Sequence, residues 1–458
     1  MTDGRGDRRS PPPPRRDGLR EDRLCLRADA GRPFLLVLPV PDVVDGDAER
    51  ALYDAFFFAD THTFGPRVAW PYAATKNDEP FTLGGAIAAA TERVGIVVTA
   101  TTTFEPPFTI ARQTLGLDHL SSGRAGLNIV TSAGDETAVN FTREPLPSHA
   151  ARYAIAEEAL EVITGLWDGF GDATSLPARV DGRINEVSEI RTVDHDGPYF
   201  RLDGLLGMQR SVQGRPVLFQ AGSSEAGARF AARHADVVFS GHRELADARR
   251  FRERIIELAD AAGRESPPLV LPGLYTIVGR DDDEVERNLN AILDSLVLQV
   301  KLGGLKEIGI DFSGLSLDDP LPPLPEGTER HQTGLARYRR IAERLGPVTI
   351  RRFLQETALT GYFARSIGTY TQAADLVQQR FEEGAADGFV LFPGGNSFTQ
   401  MRLFAENVVP ILQERGLFRT SYEGTTLRDR LGLARPERSG PASTRTPERT
   451  PERQGAVS

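Results

Sequence analysis

The amino-acid sequence predicts an α/β protein folded as a TIM barrel, a closed ring of parallel strands enclosed by helices, with long insertions and disordered tails. Its apolar segments are continuous runs, such as FLLVLPV at 34–40 and VGIVVTA at 94–100. Such runs are typical of strands that are buried on both faces of a parallel sheet. About eight of them alternate with helical segments, which favours a barrel. An open doubly wound sheet is the alternative, but no Gly-x-Gly-x-x-Gly motif follows an early strand.

Strands and helices follow one another along the chain. We predict strands at 34–40, 55–59, 94–100, 126–131, 215–221, 236–240, 269–278 and 388–392. We predict helices at 80–92, 107–120, 148–167, 223–233 and 371–383. Pro80 suits a first helical turn, Ser121-Ser122-Gly123 ends the second helix and Gly384 ends the last one.

The chain is predicted to be one domain between two tails. Residues 1–32 are rich in Pro, Arg and Asp, and residues 435–458 repeat Pro-Glu-Arg, so both segments are expected to be disordered. The barrel is assigned to 33–434. Two stretches, about 170–212 and 280–365, are too long for one strand–helix unit. We interpret them as insertions, which often form active-site lids.

Composition and charge exclude several classes of protein. The chain has 458 residues and a net charge of −10, which argues against nucleic acid as a partner. No apolar run approaches the roughly 20 residues that span a bilayer, so no membrane association is expected. A single cysteine, Cys25, and the lack of an apolar signal core indicate a cytoplasmic protein. The seven histidines show no His-x-His or His-x-x-x-His spacing, so no metal site is expected.

Polar residues end or line four of the apolar strands. In chain order they are Asp60, Thr101 and Thr102, Asn128, and Ser223 and Ser224. Each alone is explained by turn or helix-cap chemistry. Together, at the carboxyl ends of barrel strands, they indicate a shared ligand site. Gly222-Ser223-Ser224 opens a helix, and a helix start with two hydroxyls suits a phosphate.

His149 and Tyr153 lie four residues apart at the start of the 148–167 helix, with Ser148 as its predicted cap. Residues at this spacing project from one helix face. Both could contact a ligand, and His149 is a candidate catalytic group. A surface histidine beside a packing tyrosine is the alternative, and the residues alone leave it open.

An ordered set of motifs resembles the bacterial-luciferase-like flavin monooxygenases. The motifs are FFFAD, TERVGIVVTATTTFEPPFTIARQTLGLDHLSSGRAGLNIVTS, HAARYAIAEEALEVITGLW, GRPVLFQAGSSEAGARFAARHADVVF, FEEGAADGFVLF and VVPILQERGLFRTSYEGTTLRDRLGL. The resemblance covers roughly residues 52–433. It is to the branch with nitrilotriacetate monooxygenase, dibenzothiophene-sulfone monooxygenase and the pristinamycin IIA synthase subunit.

The resemblance implies a two-component monooxygenase. A separate NAD(P)H-dependent flavin reductase would supply reduced FMN, which reacts with O2 to a C4a-peroxyflavin that oxygenates a small organic substrate. A homodimer or higher homo-oligomer is expected. The motifs imply these cofactor-binding residues: Asp60, Thr101 or Thr102, Asn128, His149 and Tyr153, and, for the phosphate, Ser223 and Ser224.

One departure from the family pattern keeps other functions open. The first-strand Gly-His-His-type loop of the family is absent, and its His-Asp-Glu-Arg-Tyr pattern reads His149-Ala-Ala-Arg-Tyr153. Residues 1 to about 50 are therefore interpreted as an altered or misassigned N-terminus that fits no family strand. One alternative is a flavin-binding barrel without oxygenase turnover, either degenerate or an accessory subunit. The other is a deazaflavin-dependent oxidoreductase of the same superfamily.

Overall fold

The computed structural model describes most of the predicted domain. The described residues are 35–38, 47–63, 79–132, 135–142, 144–172, 190–222, 224–295, 312, 314–324, 332–358, 363–394 and 397–438. Within them, no helix is both long enough and apolar enough to cross a membrane.

Eight parallel strands close into a ring. The strands of the protein are β1 (Leu35–Leu38), β2 (Ala55–Phe58), β3 (Gly95–Thr101), β4 (Ala125–Val130), β5 (Val193–Asp196), β6 (Arg201–Gly204), β7 (Val217–Ala221), β8 (Val237–Ser240), β9 (Leu269–Gly279), β10 (Ala364–Thr369) and β11 (Gly388–Pro393). Around the ring the order is β1, β2, β3, β4, β7, β8, β9, β11 and back to β1. The predicted TIM barrel is confirmed, and the eight predicted strands are the eight strands of the ring.

Helices enclose this ring. They are α1 (Asp47–Arg50), α2 (Pro80–Ala90), α3 (Pro107–Leu120), α4 (Asp135–Ala138), α5 (His149–Trp167), α6 (Glu225–His234), α7 (Leu245–Ala261), α8 (Asp282–Ser295), α9 (Gln332–Leu345), α10 (Ile350–Ala358), α11 (Tyr370–Glu382), α12 (Phe398–Leu403), α13 (Val409–Glu414) and α14 (Leu427–Arg430), with a π-helical turn at Phe404–Val408. The five predicted helices are present, and Ser148 caps α5 as predicted, its Oγ accepting from the amide of Ala151.

The barrel interior is filled by apolar side chains from most of the ring strands. Phe57, Val97, Phe219 and Val390 belong to this cluster, which fits the continuous apolar runs of the sequence. Leu427, on the short helix α14, packs into the same cluster. The carboxyl ends of the strands form the other end of the barrel, where the predicted site residues lie.

Strand β9 pairs with three strands. Its first residues pair with β8, for example Leu269 with Val237. Its later residues pair with β11 and, from Leu274 to Gly279, with β10. The β9–β10 ladder therefore extends beyond the closed ring, and Ile292 of α8 packs against Ile277 on it.

Both predicted insertions lie outside the ring. In the first, β5 and β6 form an antiparallel pair, and residues 173–189 lie outside the described residues. In the second, α9 and α10 enclose a separate apolar cluster centred on Phe353.

Two predicted boundaries are changed by the structure. Leu35–Leu38 pairs with β2 and β11, so the interpretation that residues 1 to about 50 fit no family strand is wrong for this segment. The first-strand loop, residues 39–46, lies outside the described residues. The tail predicted from Arg435 begins later, because Arg435 forms an ion pair with Asp172 and Arg438 donates to the carbonyl of Asp168.

Candidate active site

The predicted site residues lie on four adjoining strands of the ring. Asp60 follows β2, Thr101 ends β3, Asn128 lies in β4 and Ser224 follows β7. Because β2, β3, β4 and β7 are consecutive neighbours, their carboxyl ends form one continuous arc of the barrel mouth. Ser223 lies outside the described residues.

Asn128 has a buried oxygen that accepts no hydrogen bond. Its Nδ2 donates to Thr99 Oγ1 at 3.0 Å, across the register that pairs β3 with β4. The residue is 2% exposed, and Oδ1 has no partner. A buried acceptor without a donor is unfavourable by about 1–3 kcal/mol. The inner wall of the barrel therefore carries an acceptor suited to a ligand N–H or O–H group.

Thr101 and Thr102 have different environments. Thr101 Oγ1 lies 2.7 Å from Ser132 Oγ, and Ser132 has a φ of +53°. This left-handed backbone conformation is uncommon outside glycine and is concentrated at functional sites. The hydroxyl of Thr102 instead faces the carbonyl of Val130 at 3.4 Å, so Thr102 holds β3 against β4.

Asp60 belongs to a carboxylate–histidine group. His62 Nε2 lies 3.1 Å from Asp60 Oδ2 and 3.9 Å from Glu105 Oε1. Glu105 Oε1 also accepts from the amide of Thr101 at 2.8 Å, which connects the group to the end of β3.

Burial controls the protonation of these carboxyls. It raises the pKa of Asp60 and of Glu105, the charge of Glu79 acts in the same direction, and His62 opposes both shifts. The group is thus able to hold a proton closer to neutral pH than ordinary carboxyls do.

A second group is formed by the starts of α5 and α6. His149 Nε2 lies 3.5 Å from Ser224 Oγ, and the rings of His149 and Tyr153 are 5.0 Å apart. Ser224 caps the ten-residue helix α6 by accepting from the amide of Gly227 at 3.1 Å. The alternative of an isolated surface histidine is therefore wrong, because the fold brings His149 to a helix start on a neighbouring unit.

Glycines keep space open around Tyr153. A Cβ at residue 227 would lie 2.7 Å from Tyr153 Oη, and one at residue 222 would lie 3.3 Å from it. Side chains larger than glycine would displace the phenol. The result is a helix N-terminus faced by a hydroxyl, an imidazole and a phenol, an arrangement that suits an anion.

Three residues of the site were not predicted. His62, Glu105 and Ser132 act through contacts between neighbouring strand ends. His62 follows Asp60 by two residues, which was the one local signal available. Among the described residues, no group of three or more His, Cys, Asp or Glu side chains is arranged for a metal ion.

Known proteins of this architecture match the chain. The family model of the luciferase-like monooxygenases matches residues 46–388. Nitrilotriacetate monooxygenase component A of Aminobacter aminovorans is 40% identical over 367 residues, covering 79% of this chain and 80% of that protein. N-acetyl-S-(2-succino)cysteine monooxygenase of Bacillus subtilis (strain 168) is 37% identical over 397 residues, covering 85% of this chain and 88% of that protein.

Solved structures agree with these sequence matches. Riboflavin lyase, solved with a modified FMN and riboflavin, superimposes with a TM-score of 0.72 at 28% identity, covering 88% of this chain and 96% of that chain. One of the two matching pristinamycin IIA synthase proteins, 38% identical, and dibenzothiophene-sulfone monooxygenase are also relatives, so the branch named from the sequence is confirmed. The chain therefore belongs to the luciferase-like monooxygenase family and is a flavin-dependent monooxygenase.

Proposed function

We propose that this protein is the oxygenase of a two-component system that uses reduced FMN and O2 to oxygenate a small organic substrate. The convergence of His149, Tyr153 and Ser224 at the start of α6 carries this proposal. A reductase partner is supported by relatives whose names mark them as one part of a larger system, such as the nitrilotriacetate monooxygenase component. We further propose that the reductase draws on NAD(P)H, which places the system in the cytoplasm.

The residues of the mouth fit FMN. Asn128 Oδ1 is a buried acceptor without a partner, and the flavin ring carries N–H groups. Ser224 and the amides of the first turn of α6 would hold the phosphate, with Ser223 beside them. His149 and Tyr153 would bind the same end of the cofactor. When bound, reduced FMN supplies the electrons that activate O2.

The remaining residues would orient the ring and manage protons. Thr101, positioned by Ser132 and Glu105, would contact the flavin from the end of β3, and Thr102 would keep that strand end in place. Asp60 would contact the ring from β2. The carboxyls of Asp60 and Glu105, whose pKa burial raises, would hold protons near the cofactor, with His62 between them.

Flavin titration tests the phosphate assignment. Replacing Ser223 and Ser224 together by Ala should weaken FMN binding far more than riboflavin binding, because riboflavin lacks the phosphate. Thr369→Ala removes a comparable helix cap on α11 and should leave both affinities unchanged. Equal losses for FMN and riboflavin would place the phosphate elsewhere. His149→Ala and Tyr153→Phe should each weaken FMN binding by about 1–2 kcal/mol.

Oxygen uptake tests the activity. With FMN, NADH and a flavin reductase, the protein should consume O2 and incorporate one oxygen atom into a substrate. Peroxide release without product, across a broad substrate panel, would favour the flavin-binding barrel without turnover. Tighter binding of a reduced deazaflavin than of reduced FMN would favour the deazaflavin-dependent alternative.

We also propose a homodimer or higher homo-oligomer. Phe108 and Leu120 on α3 are 36% and 72% exposed, which is unusual for large apolar side chains on an enclosing helix. Sedimentation equilibrium of the wild type and of a Leu120→Glu variant measures the assembly directly.

A further inference from the structure

Three phenylalanines form an aromatic wall inside the barrel mouth. We use this name for Phe239 at the end of β8, Phe363 just before β10 and Phe392 near the end of β11. The rings of Phe363 and Phe392 are stacked, with centroids 4.2 Å apart and planes 13° apart. Phe239 lies 5.7 Å from Phe363 and 6.0 Å from Phe392. The three rings thus make one continuous apolar surface.

The aromatic wall rests on the packed interior of the barrel. Phe239 and Phe392 pack against the inner apolar cluster, and the ring of Phe57 lies 6.0 Å from that of Phe239. Gly273 of β9 makes room for the third ring, because a Cβ there would lie 2.2 Å from Phe363 Cδ1. The wall is therefore built into the ring and is not part of a surface loop alone.

The rings of the wall are only partly buried. Phe57, deeper in the barrel, is 4% exposed, whereas all three wall residues are of intermediate burial. In the ring of eight strands, β9 and β11 stand four places from β3 and β4, which carry Thr101 and Asn128. The mouth accordingly has a polar side, formed by β2, β3, β4 and β7, and an apolar aromatic side opposite.

We propose that the aromatic wall binds a flat, uncharged aromatic part of the substrate. This inference rests on the proposed function, which places the cofactor against the polar side. A substrate reaching the ring from the remaining side meets three phenylalanine faces. Carboxylates, such as those of nitrilotriacetate, would lose their hydration there without a compensating hydrogen bond. The substrate class thus differs from those in the names of the two relatives compared above.

Binding of defined probes tests the aromatic wall. Dibenzothiophene sulfone and indole serve as flat uncharged probes and nitrilotriacetate as the charged one, each titrated by calorimetry into the FMN-loaded protein. The flat probes should bind and nitrilotriacetate should not. Phe363→Ala and Phe392→Ala should each weaken the flat probes about tenfold, while Phe363→Leu separates ring recognition from general apolar contact. The exposed Phe108→Ala is the matched control and should change nothing.

Gly273→Ala gives an independent test. Its Cβ would displace the flexible ring of Phe363 without removing any aromatic group, so it should weaken the flat probes as Phe363→Ala does. Circular dichroism confirms folding of each variant, and Phe363→Leu replaces any variant that fails to fold.

Other outcomes overturn the inference in distinguishable ways. If the wall variants weaken FMN as much as the probes, the wall binds the cofactor. If neither flat probe binds, or nitrilotriacetate binds in preference, the substrate class is wrong while the flavin assignment stands. If the wild type fails to bind reduced FMN, the proposed function fails, and the inference fails with it.

Discussion

Asn128 and Thr99 share a hydrogen bond of 3.0 Å inside the barrel, and this bond leaves the other polar atom of the asparagine amide unused. Native proteins rarely leave a buried polar atom unpaired. The pair therefore couples stability to ligand binding, because the unpaired oxygen lowers the stability of the protein and a bound donor would relieve it.

Replacing both partners tests this coupling. The double variant Thr99→Val with Asn128→Leu removes the buried polar atoms together and keeps their approximate shape. It should be as stable as the wild type or more stable without FMN, and it should bind FMN at least about tenfold more weakly. Thermal unfolding without ligand and flavin titration measure the two effects. A double variant that loses stability yet keeps its FMN affinity would contradict the role given to Asn128.

Gly227→Ala is expected to act through Tyr153. Its Cβ would lie 2.7 Å from Tyr153 Oη, so the phenol must move and FMN affinity should fall. In a Tyr153→Phe background the same substitution should have a smaller effect, since the crowded oxygen is gone. Gly85→Ala, where nothing lies within 4 Å of the new Cβ, is the helical control and should leave FMN binding unchanged. Additive effects of the two changes would contradict the coupling.

Glu105→Gln should change the pH dependence of stability. Burial raises the pKa of Glu105 in the folded protein. A carboxyl of this kind favours folding below its unfolded pKa, and that contribution is lost as pH rises through the folded pKa. Gln keeps the acceptor for the amide of Thr101 but cannot ionise. The variant should therefore be more stable than the wild type at neutral pH, with the advantage vanishing in acid.

Urea unfolding at neutral and acidic pH measures this difference. The exposed Glu253→Gln provides the comparison, because Glu253 forms an exposed ion pair with Arg249. A constant difference between Glu105→Gln and the wild type at both pH values would show that ionisation of Glu105 does not matter.

Asp168 is expected to be a major contributor to stability. Its carboxylate binds Arg210 at 3.0 Å with both side chains at most 2% exposed, and it also contacts Arg215. Asp168→Ala would leave buried guanidinium charge without that partner, at a cost of about 3–5 kcal/mol. Glu253→Ala, at an exposed ion pair, should cost less than about 1 kcal/mol. Equal losses in urea unfolding would contradict the importance of burial.

The ring could be predicted because its information is local. Each of the eight ring strands is a continuous apolar run, and the start of α2 carries its own Pro80. Strand β10 was missed because ARSIGT alternates buried and less buried residues and contains Ser366 and Gly368. It becomes a strand only by pairing with the extension of β9, which no local pattern reveals.

The candidate site was predictable where its residues stand at strand or helix ends. Asp60, Asn128 and Ser224 were located in this way. The contacts of His62 with Glu105, 43 residues later, and the positive φ of Ser132 depend on how strand ends meet in space. Such contacts have no periodic signature, which is why single-sequence reasoning left them out.

The three-fold pairing of β9 separates the parts of this enzyme that can change from those that cannot. The half that pairs with β8 is locked by ring closure, whereas the half that pairs with β10 carries α8 and leads to the outlying cluster of α9 and α10. Residues beyond Gly279 can thus be lengthened, shortened or exchanged between relatives while the eight-strand register stays intact. New substrates can be acquired by rebuilding this annex, with the oxygen-activating centre inherited unchanged.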